Sequence, residues 1–234
     1  MCSGMVSYLT LRSMMEFFLQ LVVAYLLGSV NGSLVLGRWR GVDIRTQGSG
    51  NAGGTNALRT QGPIFALGVI VIDVGKAWIA VRVVPTFGPA AMGAVDTSTV
   101  SWLAAGCGFA AVVGHVYPIF HGFRGGKGVA TLLGTVLALS PALLFGVLGV
   151  WLAMMFVWGY VGLGSMAAAG ALPGLALLFG RAGWIDPEAV MPLAAFGLLC
   201  APFVVWTHRS NLARLRAGTE PRAHRLWLLG RWRS

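Results

Sequence analysis

The sequence is short of charge. Only 10% of its 234 residues are Asp, Glu, Lys or Arg, and no more than seven are acidic. A soluble domain carries about 25%, so a surface facing water on every side is excluded and the chain is expected to lie in a membrane. Cysteine is nearly absent. Cys2, Cys107 and Cys200 stand far apart, two of them in apolar runs, which excludes a disulfide framework or a cysteine metal site and leaves small buried hydrophobes. Lysine is confined to Lys76 and Lys127. A cleavable signal is also missing: the first apolar run contains Gly28, Asn31 and Gly32 and passes into polar sequence without a small-residue cleavage site.

What is present is apolar and basic. Hydrophobic residues make up 56% of the chain and the net charge is +10. Such a balance often marks nucleic-acid binding, but in a membrane chain it reads as arginine gathered on the cytoplasmic side, and no nucleic-acid partner is expected. Apolar runs fall near 17–37, 63–85, 99–120, 128–158, 164–180 and 189–207. The run 128–158 exceeds one span of about 20 residues and contains Ser140-Pro141, where a helix breaks. Dividing it there predicts an all-α integral membrane protein of seven transmembrane helices. Residues 1–15 read as an appended N-terminal extension, amphipathic or disordered, 16–216 as the seven-helix domain and 217–234 as a basic tail. Arginines crowd 38–60, 121–127 and the C-terminus, whereas 86–98 and 181–188 hold Asp96, Asp186 and Glu188 with Arg181 alone. The basic segments and the turn 159–165 are therefore expected on the cytoplasmic face, with the N-terminus outside.

Two of these segments carry chemistry. "GSGNAGGTNALR" (48–59) contains the G-x-G-x-x-G of a dinucleotide fold. No strand precedes it, and the acid at the required distance, Asp73, lies inside an apolar run, so a dinucleotide site is rejected. The glycines still allow backbone amides to face an anion. Ser49, Asn51, Thr55 and Asn56 add short polar groups and Arg59 a fixed cation. In "GHVYPIFHGFRGGKGVAT" (114–131), Gly125, Gly126 and Gly128 bracket Lys127 at the start of a predicted helix, whose N-terminal dipole favours an anion. Plain interhelical linkers with a solvated lysine would account for the composition of either stretch. Asp73 and Lys76, at i and i+3 inside a span, are expected to face one another, as a functional group or as a self-neutralising structural pair. His115, near the end of its helix, reads as a structural hydrogen-bonder, and the pairs Gly28/Gly32 and Gly170/Gly174 fit close helix packing.

Together "DIRTQGSGNAGGTNALR", "DVGKAW", "GHVYPIFHGFRGGKGVAT", "GYVGLGS" and "HRSN" identify the chain by resemblance with the bacterial acyl-phosphate:glycerol-3-phosphate acyltransferases, the PlsY family. The resemblance covers nearly all of 17–216. It implies a multi-pass enzyme of the bacterial inner membrane with its site facing the cytoplasm. Such an enzyme passes an acyl chain from acyl-phosphate to glycerol 3-phosphate, in the first acylation of phospholipid synthesis, giving lysophosphatidic acid and phosphate. It implies no cofactor or metal, the lipid bilayer as surroundings, and the enzyme that makes acyl-phosphate as a candidate partner. The family lacks the H-x-x-x-x-D box of other glycerol-phosphate acyltransferases, and here the residues five places after His115, His121, His208 and His224 are Phe120, Gly126, Ala213 and Leu229. By resemblance, Ser49, Thr55, Gly125, Ser165 and His208 hold the donor phosphate. Arg59, Lys127 and Asn211 hold glycerol 3-phosphate, and Asn51 and Asn56 shape the first loop. Ser49, Lys127 and His208 are the expected catalytic residues, with Asp73, Lys76 and His115 as candidate support. Departures from the family pattern are Gly54 for Ala, Arg124 for Lys and Gly162 for Ser. Two other classes share these features: a transporter of an organic phosphate, which would show broken helices at the membrane midplane, and an anionic-lipid scaffold, which would not need Ser49, Thr55 or Lys127.

Overall fold

The computed structural model describes residues 2–87, 96–223 and 226–227, with residues 2–13 as backbone alone. Among the described residues the structure is helical and has no strand. The α-helices are α1 (Cys2–Gly28), α2 (Gly32–Trp39), α3 (Gly54–Gln61), α4 (Pro63–Arg82), α5 (Thr97–Val116), α6 (Val129–Leu139), α7 (Pro141–Trp158), α8 (Val161–Arg181), α9 (Pro187–Thr207) and α10 (Arg209–Arg216). The backbone of the N-terminal extension is helical and continuous with the first apolar run.

Local chemistry sets where these helices begin. Asn31 caps α2 by accepting from the Leu34 amide at 3.2 Å, and Ser140 caps α7 by accepting from the Leu143 amide at 3.3 Å. Asp96 caps α5 at the Thr99 amide, 2.7 Å, and Asp186 caps α9 at the Glu188 amide, 3.0 Å. Pro63, Pro141 and Pro187 open their helices, where a missing N–H costs nothing. The break expected at Ser140-Pro141 is there: Ser140 is extended, φ −157° and ψ 104°.

Among the described residues five helical segments are long and apolar enough to cross a membrane, and α1 with α2, bent by 45°, makes up to a sixth. The difference from the expected seven is α6. Its 11 residues rise about 17 Å, short of a hydrocarbon core of about 30 Å. The outward faces are apolar, as lipid requires, with Ile64 82%, Phe145 75% and Leu198 65% exposed.

The chain divides into two compact units, Met1–Leu139 and Ser140–Ser234. In the first, small residues let helices touch. A Cβ on Gly28 would strike the Ala111 backbone of α5, one on Gly114 the Tyr25 carbonyl of α1, and one on Gly134 the Val74 carbonyl of α4. Ala24, Ala80, Val84, Leu103, Cys107 and Ala111 close the core around these crossings. In the second unit α8 packs against α7 and α9, with Leu172, Leu193 and Phe196 buried. Gly32 fits the packing expectation, its Cβ position being 2.8 Å from the Val69 carbonyl oxygen. Gly170 and Gly174 do not: a Cβ on either meets nothing within 4 Å, so this pair lies on an open face of α8.

Substitution therefore separates the two glycine pairs. Gly28→Ala is expected to lose about 1–3 kcal/mol by overpacking. Gly170→Ala is expected to be neutral, or stabilising by up to about 1 kcal/mol through helix propensity. Thermal unfolding of both variants in detergent measures the difference.

Candidate functional site

The first unit gathers two glycine loops around one another. In the loop 48–59, Asn56 is buried and holds the turn from inside. Its Oδ1 accepts from the Ser49 amide at 2.9 Å, while its Nδ2 donates to the carbonyls of Gln47 at 2.9 Å and Ile44 at 3.2 Å. Gly48 and Gly50 take φ of 55° and 72°, left-handed conformations that glycine adopts without strain. A Cβ on Gly48 would also strike the Asn56 side chain. Gly53 caps α3, so Thr55 falls in its first turn and Arg59 one turn later on the same face. Ser49, Thr55 and Arg59 are all exposed, and Asn51 is half-buried with its Nδ2 beside Gly53. The buried amide shapes the loop and the other polar groups stand on its surface.

The second loop is folded onto the end of α5. Gly125 N–H donates to the Val116 carbonyl at 3.1 Å and Gly126 N–H to the His115 carbonyl at 3.2 Å. These two amides are used in closing the turn. What the glycines provide is close approach: a Cβ on Gly125 would strike the His115 carbonyl, and one on Gly126 the His115 Nε2. Gly128, φ 83°, then leads into α6, whose first-turn amides have no helical acceptor. Lys127 stands half-buried between these glycines.

Arg45 fastens one loop to the other, and Asn31 braces the first where it meets the second. Arg45 donates through Nη1 to the carbonyls of His121 at 3.0 Å and Arg124 at 3.3 Å. The same guanidinium pairs with Asp43 at 2.9 Å and holds that carboxyl below the usual range. Asn31 donates through Nδ2 to the Ala52 carbonyl at 3.2 Å, and that carbonyl oxygen lies 2.8 Å from the Cβ position of Gly126. Sequence reasoning missed Asn31 and Arg45 as site-builders. Arg45 was legible only as one of several topology arginines. An Asn interrupting an apolar run just before a helix was the available sign for Asn31.

Beneath the loops lies an ion cluster. Asp73 is fully buried, Lys76 6% and His115 2% exposed. Lys76 Nζ donates to Asp73 Oδ1 at 2.8 Å, to the Val30 carbonyl at 2.8 Å and to His115 Nδ1 at 2.9 Å. All three ammonium hydrogens are thereby used. His115 Nδ1 acts as acceptor, which assigns the ring hydrogen to Nε2, the edge against Gly126. The 3.3 Å approach of His115 Nδ1 to Asp73 Oδ1 is then a contact between two acceptors of one ammonium. Asp73 Oδ1 also accepts from the Gly32 amide at 3.0 Å, whereas Oδ2 has no partner among the described residues.

The second unit holds Ser165, His208 and Asn211. His208, 3% exposed, follows α9, and its Nδ1 lies 2.8 Å from the Val204 carbonyl. A carbonyl only accepts, so Nδ1 carries the hydrogen of this bond. Asn211, in the first turn of α10, packs against Gly162: a Cβ there would lie 2.9 Å from Asn211 Nδ2. Ser165 stands three residues after Gly162 on the same face of α8, its hydroxyl donating to the Val161 carbonyl at 2.9 Å. Glu220 holds this corner, accepting from Asn211 Nδ2 at 2.6 Å and Arg214 Nε at 2.8 Å. Glu220 was not foreseen. Among the described residues no three of His, Cys, Asp and Glu gather so as to hold a metal ion.

Comparison with known proteins identifies what this chain is similar to. Residues 18–218 match the family model described as glycerol-3-phosphate acyltransferase. The chain is 43% identical over 202 residues to the glycerol-3-phosphate acyltransferase of Synechococcus elongatus, covering 86% of this chain and 91% of the relative. It is 39% identical over 225 residues to that of Chlorobaculum tepidum, covering 89% and 97%. Among solved structures it is similar to PlsY (YgiH), an integral membrane glycerol 3-phosphate acyltransferase. In the glycerol 3-phosphate form the TM-score is 0.72 at 33% identity, covering 88% of this chain and 94% of that one. In the lysophosphatidic acid form the TM-score is 0.70 at 33% identity, with the same coverage.

The Asn56 scaffold is testable without a ligand. Asn56→Asp replaces two amide donors by a carboxylate oxygen facing the carbonyls of Ile44 and Gln47. A loss of about 2–4 kcal/mol is expected, read as a fall in thermal midpoint, with Asn51→Asp at the half-buried neighbour costing less.

Proposed function

The chain belongs to the glycerol-3-phosphate acyltransferase family, and from that premise we propose that its acyl donor is acyl-phosphate and its products are lysophosphatidic acid and inorganic phosphate. Acylation of glycerol 3-phosphate serves phospholipid synthesis, and the transporter and scaffold readings give way to it. The observation that carries the donor assignment is the fastening of two loops with anion-binding chemistry to one another, through Arg45, Asn31 and His115. Two phosphate-bearing substrates call for two such elements.

Ser49, Thr55, Gly125, Ser165 and His208 are assigned to the donor phosphate, Gly125 through its lack of a side chain. Arg59, Lys127 and Asn211 are assigned to glycerol 3-phosphate. Residues 16–216 form the catalytic domain, flanked by 1–15 and 217–234. The arginine distribution favours seven passes, α6 included, with the N-terminus outside, the C-terminus and the site in the cytoplasm, and the inner membrane as location. The enzyme that makes acyl-phosphate is the expected supplier of donor.

Acyl-phosphate is already activated, so catalysis rests on positioning and on holding charge. The acceptor hydroxyl oxygen bonds to the acyl carbon, the bond from that carbon to the phosphate oxygen breaks, and phosphate leaves. The hydroxyls of Ser49, Thr55 and Ser165 hold the charge of the leaving phosphate, and Lys127 that of glycerol 3-phosphate. The hydroxyl proton passes to a phosphate oxygen of the donor. His208, its ring oriented by the Nδ1 bond to Val204, is the competing base.

Purified protein with palmitoyl-phosphate and glycerol 3-phosphate is expected to release phosphate, and Lys127→Ala to lose at least about 100-fold in turnover. No release by wild type, or undiminished release by the variant, overturns the reading. His208→Gln decides the base. A raised KM for acyl-phosphate with a modest fall in kcat supports the substrate phosphate. A fall of about 10³-fold or more in kcat at unchanged KM assigns the proton to the histidine.

A further inference from the structure

Resting on that acyltransferase reading, we propose that Asp73, Lys76 and His115 are positioning residues: the cluster sets the spacing of the two glycine loops, and so the place of Lys127, without touching substrate. Two routes leave the Asp73 carboxylate. One runs through the Gly32 amide to Asn31, whose side chain donates to Ala52 in the first loop. Lys76 grips the other side of Asn31 through the Val30 carbonyl. The second route runs through Lys76 to the His115 ring, which lies against Gly126 beside Lys127. The His115 carbonyl receives the Gly126 amide as well, so ring and backbone hold one residue from two directions. Ala52 and Gly126 meet at the far end and close the circuit.

Stability alone does not explain these residues. Ionisable groups within a span are costly, and buried ion pairs are commonly replaced by apolar side chains without loss of stability. The helices here have other contacts: Gly134 seats α6 on α4, and Gly28 with Gly114 seats α1 on α5. The cluster also leaves Asp73 Oδ2 without a partner among the described residues, a penalty that an apolar replacement would not carry. What an ammonium supplies is direction. Its three hydrogens fix a carbonyl, a carboxylate and an imidazole at set angles, which apolar packing leaves loose. A catalytic lysine displaced by about 1 Å loses on the order of 100-fold in rate.

The test is the double variant Asp73→Leu/Lys76→Met in detergent, followed by thermal unfolding, peptide-resolved hydrogen exchange and kinetics. A thermal midpoint near wild type is expected, with faster exchange confined to the peptides covering 48–58 and 123–128, and a fall of about 100-fold in kcat. Wild-type exchange in both loops overturns the proposal, whatever the activity. Exchange accelerated equally across α4 and α5 also overturns it, since the cluster then merely holds the helices. Should the double variant fail to fold, His115→Gln and His115→Phe serve. Gln retains an acceptor for Lys76 and is expected to restore loop protection and part of kcat, whereas Phe is not; identical loop exchange in both and in wild type overturns the proposal. Wild type inactive with palmitoyl-phosphate sinks the acyltransferase reading alone, because the exchange comparison needs no substrate.

Discussion

An ammonium and a carboxylate 2.8 Å apart in the middle of α4 set the terms for the first unit. A helix meant for lipid tolerates ions only where every strong donor finds an acceptor. Lys76 meets that demand with a carbonyl from the break between α1 and α2, a carboxylate from its own helix and a ring from α5. Three elements are thereby fixed at one point, and both glycine loops hang from that point. The site is organised by a need for electrostatic satisfaction in an apolar solvent.

The polar residues divide by burial. Asn31, Asn56, Asp73, Lys76 and His115 are buried and bonded mostly to backbone. Ser49, Thr55 and Arg59 are exposed on the surface those bonds shape. In the second unit Glu220 plays the buried part, fixing Asn211 and Arg214. Most scaffold hydrogen bonds are made to backbone, which fixes the surface on which the exposed groups stand.

Much of this was legible because membranes simplify the grammar. Apolar runs and proline marked the helices, and Ser140-Pro141 located a break that the structure contains. The glycine loops and the i, i+3 pair were legible because their chemistry is local in sequence. The rest depended on distant partners. Arg45 meets the backbone of residues 121 and 124, and Glu220 bonds across a turn to Asn211. Nothing near those residues in the chain announces the bond. The open Gly170/Gly174 face was misread for the same reason, since small-residue spacing is local while the presence of a neighbour is not. The seven-helix expectation strained at α6 because dividing the run 128–158 at Ser140-Pro141 leaves only residues 128–139 before the break, and α6 already uses nearly all of them.

The interruption between α1 and α2 bears on how the chain is made. Ser29 bonds back to the Tyr25 carbonyl and Asn31 caps α2, leaving the Val30 carbonyl outside the helical ladder. In a continuous helix that oxygen would pair with the Leu34 amide. During synthesis this acceptor and the Gly32 amide emerge before Asp73 and Lys76, and His115 comes after them. The ion pair thus enters the bilayer already self-neutralised at i, i+3, with its backbone receptors in place and only its imidazole still to come. Chain order spares the nascent protein a stage in which a lone charge waits in lipid for a partner not yet translated.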